Sequence, residues 1–187
     1  MWADSTAGDF STQTKDSFHV RALGGVMFYT GLKQFWTEGE LSCASLTSRG
    51  GADLAEPFAF TESTVPPGAV VVIDDQNPGR LKLSTQAYDH KVAGIVSGAG
   101  GVKSGISMIQ AEALEGGRNV ALSGRVYALV DATQAPVEPG DLLTTSDTLG
   151  HAMKALDRQR CSGAILGKAM TPLKDGRGLV LVLVSLQ

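Results

Sequence analysis

Aromatic residues are scarce in this sequence. Eleven occur in 187 positions, and nine of them lie no later than Phe60, leaving only Tyr88 and Tyr127 beyond it. Ring packing is thus available to the N-terminal third alone, and the rest must build its core from Val, Leu, Ile and Ala. Charge is low as well: Asp, Glu, Lys and Arg make up 19% of the chain, below the usual quarter. Lys and Arg stand singly and the net charge is −3, so no basic stripe marks a nucleic-acid footprint. The two cysteines, Cys43 and Cys161, are 118 positions apart, with no metal-type spacing. They read as two buried free thiols, since a disulfide needs an oxidising compartment and a close Cα approach. His19, His90 and His151 fall in separate segments without the spacing of a zinc site. No metal and no cofactor is expected. The longest apolar run is the six-residue stretch Leu179–Val184, against roughly 20 for a membrane-spanning helix. The opening MWADSTAGDF has neither a basic nor an apolar signal region, so no signal peptide is expected.

Glycine, by contrast, is plentiful: 23 residues, about 12% against roughly 7% in average proteins, which points to a chain that turns often. The hydrophobic fraction of 43% is enough for a real core. Strand patterns dominate. Ser17–Tyr29 alternates and breaks at Gly24-Gly25, as two short strands around a bulge or turn would. Ala69–Ile73 is a continuous apolar run after Pro-Pro-Gly. Val120–Val130 reads as a longer strand bent at Gly124. Leu179–Val184 (LVLVLV) has no polar face, so it is expected in the centre of a sheet with both faces covered. Helical patterns are weak: two turns over Ile106–Leu114 and one over Glu40–Thr47. A boundary is expected at the Ser48–Gly51 turn signal.

A long-range repeat rises above this background. Val65-Pro66-Pro67-Gly68 is echoed by Val137-Glu138-Pro139-Gly140, 72 positions later, and Asp75 maps onto Asp147 at the same offset. Gly79 then matches Gly150, and Gly94 matches Gly163. The pattern predicts a duplicated β-unit closing into a barrel-like core, with Gly68, Gly79, Gly94, Gly140, Gly150 and Gly163 at structural turns.

Catalytic motifs are sparse. Gly98-Ala99-Gly100-Gly101 and Gly116-Gly117 lack the helix and the lysine of a phosphate loop and read as tight turns. No GxSxG elbow occurs. Ser97, Ser104 and Ser123, each beside a glycine, are the loose nucleophile candidates. Asp89 and His90, in the polar turn Tyr88–Lys91, are the accompanying acid and base candidates.

Several segments carry a resemblance: GADLAEPFAF (Gly51–Phe60), PPGAVVVID (Pro66–Asp74), YDHKVAGIVSG (Tyr88–Gly98), VALSGRVYALVDA (Val120–Ala132), EPGDLLTTS (Glu138–Ser146), GHAMKALD (Gly150–Asp157), and Gly167–Met170 with Gly176–Gln187. Together they resemble the C-terminal domains of phage appendage and tail-fibre proteins, some of which cleave themselves. Upstream, Asp16–Gly31 is similar to the short β-repeats of trimeric adhesin heads. The resemblance implies an all-β, barrel- or sandwich-like domain over residues 50–187, behind an extended trimerising β-arm over residues 1–49. It implies a homotrimeric fibre-end module of a virion, injection machine or cell-surface fibre, attached to a fibre or baseplate protein, with no nucleic-acid partner and no membrane insertion. The alternative it implies is a serine-based domain that cuts a fibre precursor once. The nine early aromatics agree with the first reading, because an arm without a core must bury its rings against neighbouring chains.

Overall fold

The computed structural model describes residues 2–3, 20–22, 40, 42–109 and 117–186. The chain divides into two units, Met1–Leu46 and Thr47–Gln187. In the first, β1 (Trp2–Ala3) pairs in parallel with β2 (Val20–Arg21), Trp2 opposite Val20. The rest of the Ser17–Tyr29 strand pair lies outside the described residues, apart from Ala22. Glu40 and residues 42–47 are coil, not the single helical turn the sequence suggested.

The second unit is all-β. Its strands are β3 (Asp53–Phe58), β4 (Val70–Ile73), β5 (Leu81–Leu83), β6 (Val92–Val96), β7 (Ser104–Ser107), β8 (Arg118–Asp131), β9 (Leu142–Thr145), β10 (Ala152–Lys154), β11 (Ile165–Ala169) and β12 (Arg177–Ser185). Single 3-10 turns occupy Ala99–Gly101 and Arg158–Arg160. The helix expected over Ile106–Leu114 does not form at its start. Ser104–Ser107 is strand β7, drawn into the sheet by parallel pairing with β3, and residues 110–114 lie outside the described residues.

Five strands close a barrel in the order β8, β12, β11, β9, β10, with β10 returning to β8 through Ala152 opposite Val130. A second, looser ring runs β3, β8, β6, β4, β5. It closes where Leu81 bonds the chain just after β3, its amide donating to the Ala59 carbonyl and its carbonyl accepting from the Thr61 amide. The long strand β8 belongs to both rings and bends at Gly124 (φ 101°), as its sequence suggested. Each ring has its own interior. Val126, Val130, Leu143, Leu166, Val180 and Val182 fill the barrel, and Val65, Val71, Leu81, Leu83, Val96 and Val120 fill the other ring.

The two rings repeat one register. In the looser ring, Val72, Val71 and Val70 face Val92, Gly94 and Ile95; in the barrel, Thr144, Leu143 and Leu142 face Ile165, Gly167 and Lys168. Both ladders skip one residue at the same step. The Pro-Gly turns match as well: the Gly68 amide donates to the Val96 carbonyl and the Gly140 amide to the Ala169 carbonyl, each at 2.8 Å. Gly79 and Gly150 also occupy equivalent positive-φ turns. One expected match is corrected. The counterpart of Gly94 is Gly167, both at φ 151°, and Gly163 sits in the turn before β11. The reason is steric: a Cβ would lie 2.6 Å from the Ala121 carbonyl oxygen at 94 and 2.1 Å from that of Leu183 at 167, where neighbouring strands cross closest.

The Leu-Val run is central in its hydrogen bonding, because β12 pairs with β8 on one edge and β11 on the other. It is not covered on both faces. Val180, Val182 and Val184 point into the barrel at 0%, 0% and 3% exposure, whereas Leu179 and Leu183 point outward at 43% and 45%. A barrel has one interior, so a single chain covers only one side of each strand.

Candidate functional site

A polar cleft opens where the looser ring meets β7. Ser97 follows β6 directly and donates its amide to the Asn119 carbonyl at 2.8 Å. Ser104 opens β7 and donates its hydroxyl to Ser97 Oγ at 3.1 Å, while Asn119 Nδ2 donates to Ser104 Oγ at 3.3 Å. Asn119 Oδ1 in turn accepts from the Ser107 hydroxyl at 3.0 Å. Ser97, Gly98, Lys103, Ser104 and Asn119 line a cavity of about 300 Å³. The chain leading into β3 lies against one wall. The Ala52 amide donates to the Lys103 carbonyl at 3.0 Å, and a Cβ at Gly51 would sit 2.2 Å from the Ser104 carbonyl oxygen.

Beneath the two serines lies Asp53, opposite Ser104 in the β3–β7 register and only 4% exposed. Burial pushes its carboxyl above the ordinary 3.8, opposed by the nearby hydroxyls of Ser97 and Ser104 and by its own amide. Those hydroxyls lie close enough to favour the ionised form without completing a hydrogen bond, for neither carboxylate oxygen has a partner in bonding geometry. Two other buried acidic groups are fully served. Asp74 accepts from Thr61, Gln76, Asn77 and Lys82, and Asp131 from Thr133, Thr148 and Arg177; these contacts hold both carboxyls well below the usual range. They lock turns. Asp53 alone among these three is a buried carboxyl with proton-accepting capacity left over.

That surplus has a testable consequence. A carboxyl whose folded pKa exceeds its unfolded value contributes stability below the unfolded pKa and loses it as pH rises through the folded one. We therefore expect Asp53→Asn to raise stability near pH 7 by about 1–3 kcal/mol, which removes the cost of a buried unpaired charge. The gain should vanish near pH 3, below the ordinary carboxyl value, where a carboxyl whose pKa is raised is protonated. Thermal melts of both proteins at the two pH values check this, and an equal gain at both would refute it.

Of the residues singled out in the sequence, Ser97 and Ser104 come together and the others do not. Ser123 is exposed on β8, opposite Ser185 and Leu54. Asp89 and His90 precede β6 while Ser97 follows it, so the strand itself, at 3.3 Å per residue or roughly 20 Å from His90 to Ser97, holds them apart. Asp89 instead organises its turn, accepting from the Lys91 amide at 2.9 Å, and its own amide donates to Thr145 Oγ1 at 2.8 Å. Asp53, Lys103 and Asn119 join the cleft without having been singled out. The sequence carried no signal for Asp53: its inward place beside Ala55 and Pro57 appears only in the fold, since the large apolar residues Leu54 and Phe58 fall on the other face. Among the described residues no group of His, Cys, Asp and Glu is placed to hold a metal ion. The thiols are not both buried as expected: Cys43 is exposed and Cys161 half-buried, and both are free. No described helix is long and apolar enough to cross a membrane.

A second feature covers the outside of the barrel. Pairing places Leu142, Lys168, Leu183 and Arg125 in one row across β9, β11, β12 and β8. Leu181 faces Tyr127 in the next row, and Leu179 faces Leu129 in the last. Leu142, Ile165, Gly167, Lys168, Leu183 and Ser185 line a groove of about 440 Å³ in this face. Contiguous apolar surface of this kind marks interaction sites more often than isolated exposed leucines do. No protein-family model matches the chain, and a search of curated proteins finds no match to it.

Proposed function

We propose that the chain is the end module of an oligomeric fibre or appendage, working as a homotrimer at a virion, injection machine or cell surface and joined there to a fibre or baseplate protein. The observation that carries this reading is the outward leucine stripe of β12. Both edges of that strand are already hydrogen-bonded, so association through it must be face to face and not by strand addition. Covering its leucines removes apolar area from water at about 25 cal/mol per Å². The seven aromatic residues from Trp2 to Trp36 supply partner surface of the same kind, whereas Phe58 and Phe60 pack on the interior of their own ring. The paired substitution Leu181→Asp with Leu183→Asp tests it. The variant should fall to single-chain mass in light scattering while keeping its fold, because Leu183 is 45% exposed. Unchanged association would contradict the reading.

The Asp53 cleft favours a second reading, a single-turnover serine peptidase acting on its own chain. One of the paired hydroxyls would add to a backbone carbonyl, passing its proton to Asp53, which hands it to the nitrogen as the C–N bond breaks and the amine departs, and water would then hydrolyse the ester so formed. The segment around Gly51 lies nearest, packed on Ser104. Intact-mass spectrometry of the purified chain separates the readings. A cut near residues 48–52 that disappears in Ser97→Ala or Ser104→Ala establishes cleavage, and an intact chain over days excludes it.

A further inference from the structure

We propose that the Asp53 cleft is an esterase site for small acyl esters taken from solution, with Ser97 as its nucleophile. This activity rests on the buried carboxylate and serine pair of the peptidase reading, and exchanges the chain's own carbonyl for that of a small molecule. The main chain beside the cleft favours the exchange. The Ala52 carbonyl accepts from the Arg125 amide at 3.1 Å, and the Lys103 carbonyl from the Ala52 amide at 3.0 Å. Both are held by backbone bonds, away from attack. The cavity of about 300 Å³ is lined by Ser97, Gly98 and Ser104. Its volume lies at the lower end of ordinary ligand pockets, which suits a short acyl chain.

The hydrogen bonds select Ser97. Asn119 Nδ2 donates to Ser104 Oγ at 3.3 Å, and Ser104 donates on to Ser97 Oγ at 3.1 Å. A hydroxyl has one proton to donate, so Ser104 has committed its own and Ser97 keeps one for Asp53. Both Asp53 oxygens are buried and unpartnered, ready to accept it. Gly98 follows Ser97 at φ 110°, and its amide donates to no described carbonyl, which leaves it available to the oxyanion. In the first step Ser97 Oγ bonds to the ester carbonyl carbon and its proton passes to Asp53. The bond to the alcohol oxygen then breaks, and Asp53 returns the proton to that oxygen. Water next gives a proton to Asp53 and adds to the acyl carbon; Ser97 leaves with the proton, and the carboxylic acid is released. Ser104 is a positioning residue, acting through its bond to Ser97.

The test treats the full chain with a fluorophosphonate and, separately, with p-nitrophenyl butyrate. The fluorophosphonate should add to one serine, which peptide mass mapping places at Ser97, and the ester should be hydrolysed over many turnovers. Ser97→Ala should remove both labelling and turnover. Asp53→Asn should lower turnover by about a hundredfold or more, while melting no lower than the parent. Ser104→Ala should lower turnover by about tenfold, the worth of one hydrogen bond, with the label still on Ser97. Ser104→Thr, which keeps the hydroxyl, should restore the rate. A label on Ser104, or turnover that survives Ser97→Ala, would overturn the assignment. A chain that cuts itself but takes no label and hydrolyses no ester would refute the esterase and leave the peptidase reading standing. Ester turnover by a chain that stays intact would do the reverse, and a chain that does neither removes both.

Discussion

Val182→Asp should abolish the folded domain, whereas Leu183→Asp, one residue along the same strand, should leave it folded. Val182 is fully buried between the barrel walls, with Ala169 and Val126 opposite it on the two neighbouring strands. A carboxylate there has no partner and no water, and the cost of several kcal/mol is comparable with the whole stability of a small domain, about 5–15 kcal/mol. At Leu183 the same group reaches solvent and lies between Lys168 and Arg125, so the fold survives and only face-to-face association is lost. Soluble yield and circular dichroism of the two variants distinguish these outcomes. A Val182→Asp protein melting near the parent would mean that β12 is peripheral.

The second large effect is expected at the repeated glycine. Gly167→Ala must place a methyl group 2.1 Å from the Leu183 carbonyl oxygen, at φ 151°. Backbone strain of about 1–3 kcal/mol adds to the loss of ladder hydrogen bonds at about 1 kcal/mol each, so a total of roughly 3–5 kcal/mol is expected. Gly94→Ala, with a contact of 2.6 Å to the Ala121 carbonyl oxygen, should behave alike. Gly163→Ala provides the contrast, because its nearest neighbour is 3.7 Å away; its cost should be the strain of one positive-φ turn, about 1–2 kcal/mol. Denaturant midpoints rank the three. Equal losses at Gly163 and Gly167 would refute the assignment of Gly167 as the partner of Gly94.

These residues also show where the sequence was legible. The Pro-Gly turns and the apolar runs after them report locally on their conformation, and so the duplication and the all-β class could be read directly. The Gly94 match could not. The second unit has glycines at both 163 and 167, and only the approach of β11 to β12 selects between them. The Leu-Val run carried no polar residue to say which side faces water, so two covered faces were expected where the barrel supplies one. Ile106–Leu114 read as helix because its pairing partner, β3, lies some fifty residues upstream and gives no local signal. The cleft failed to show for the same reason: Asp53, Ser97, Ser104 and Asn119 are collected by sheet pairing across three strands and a turn, and only the two serines carry a mark in the sequence, the glycine that follows each.

The solution mass of the full chain, measured by light scattering at micromolar concentration, decides most directly whether the leucine face is an interface between copies. The expected result is three times the 19.5 kDa chain mass, constant on dilution through that range. The mass of a single chain at every concentration would contradict it.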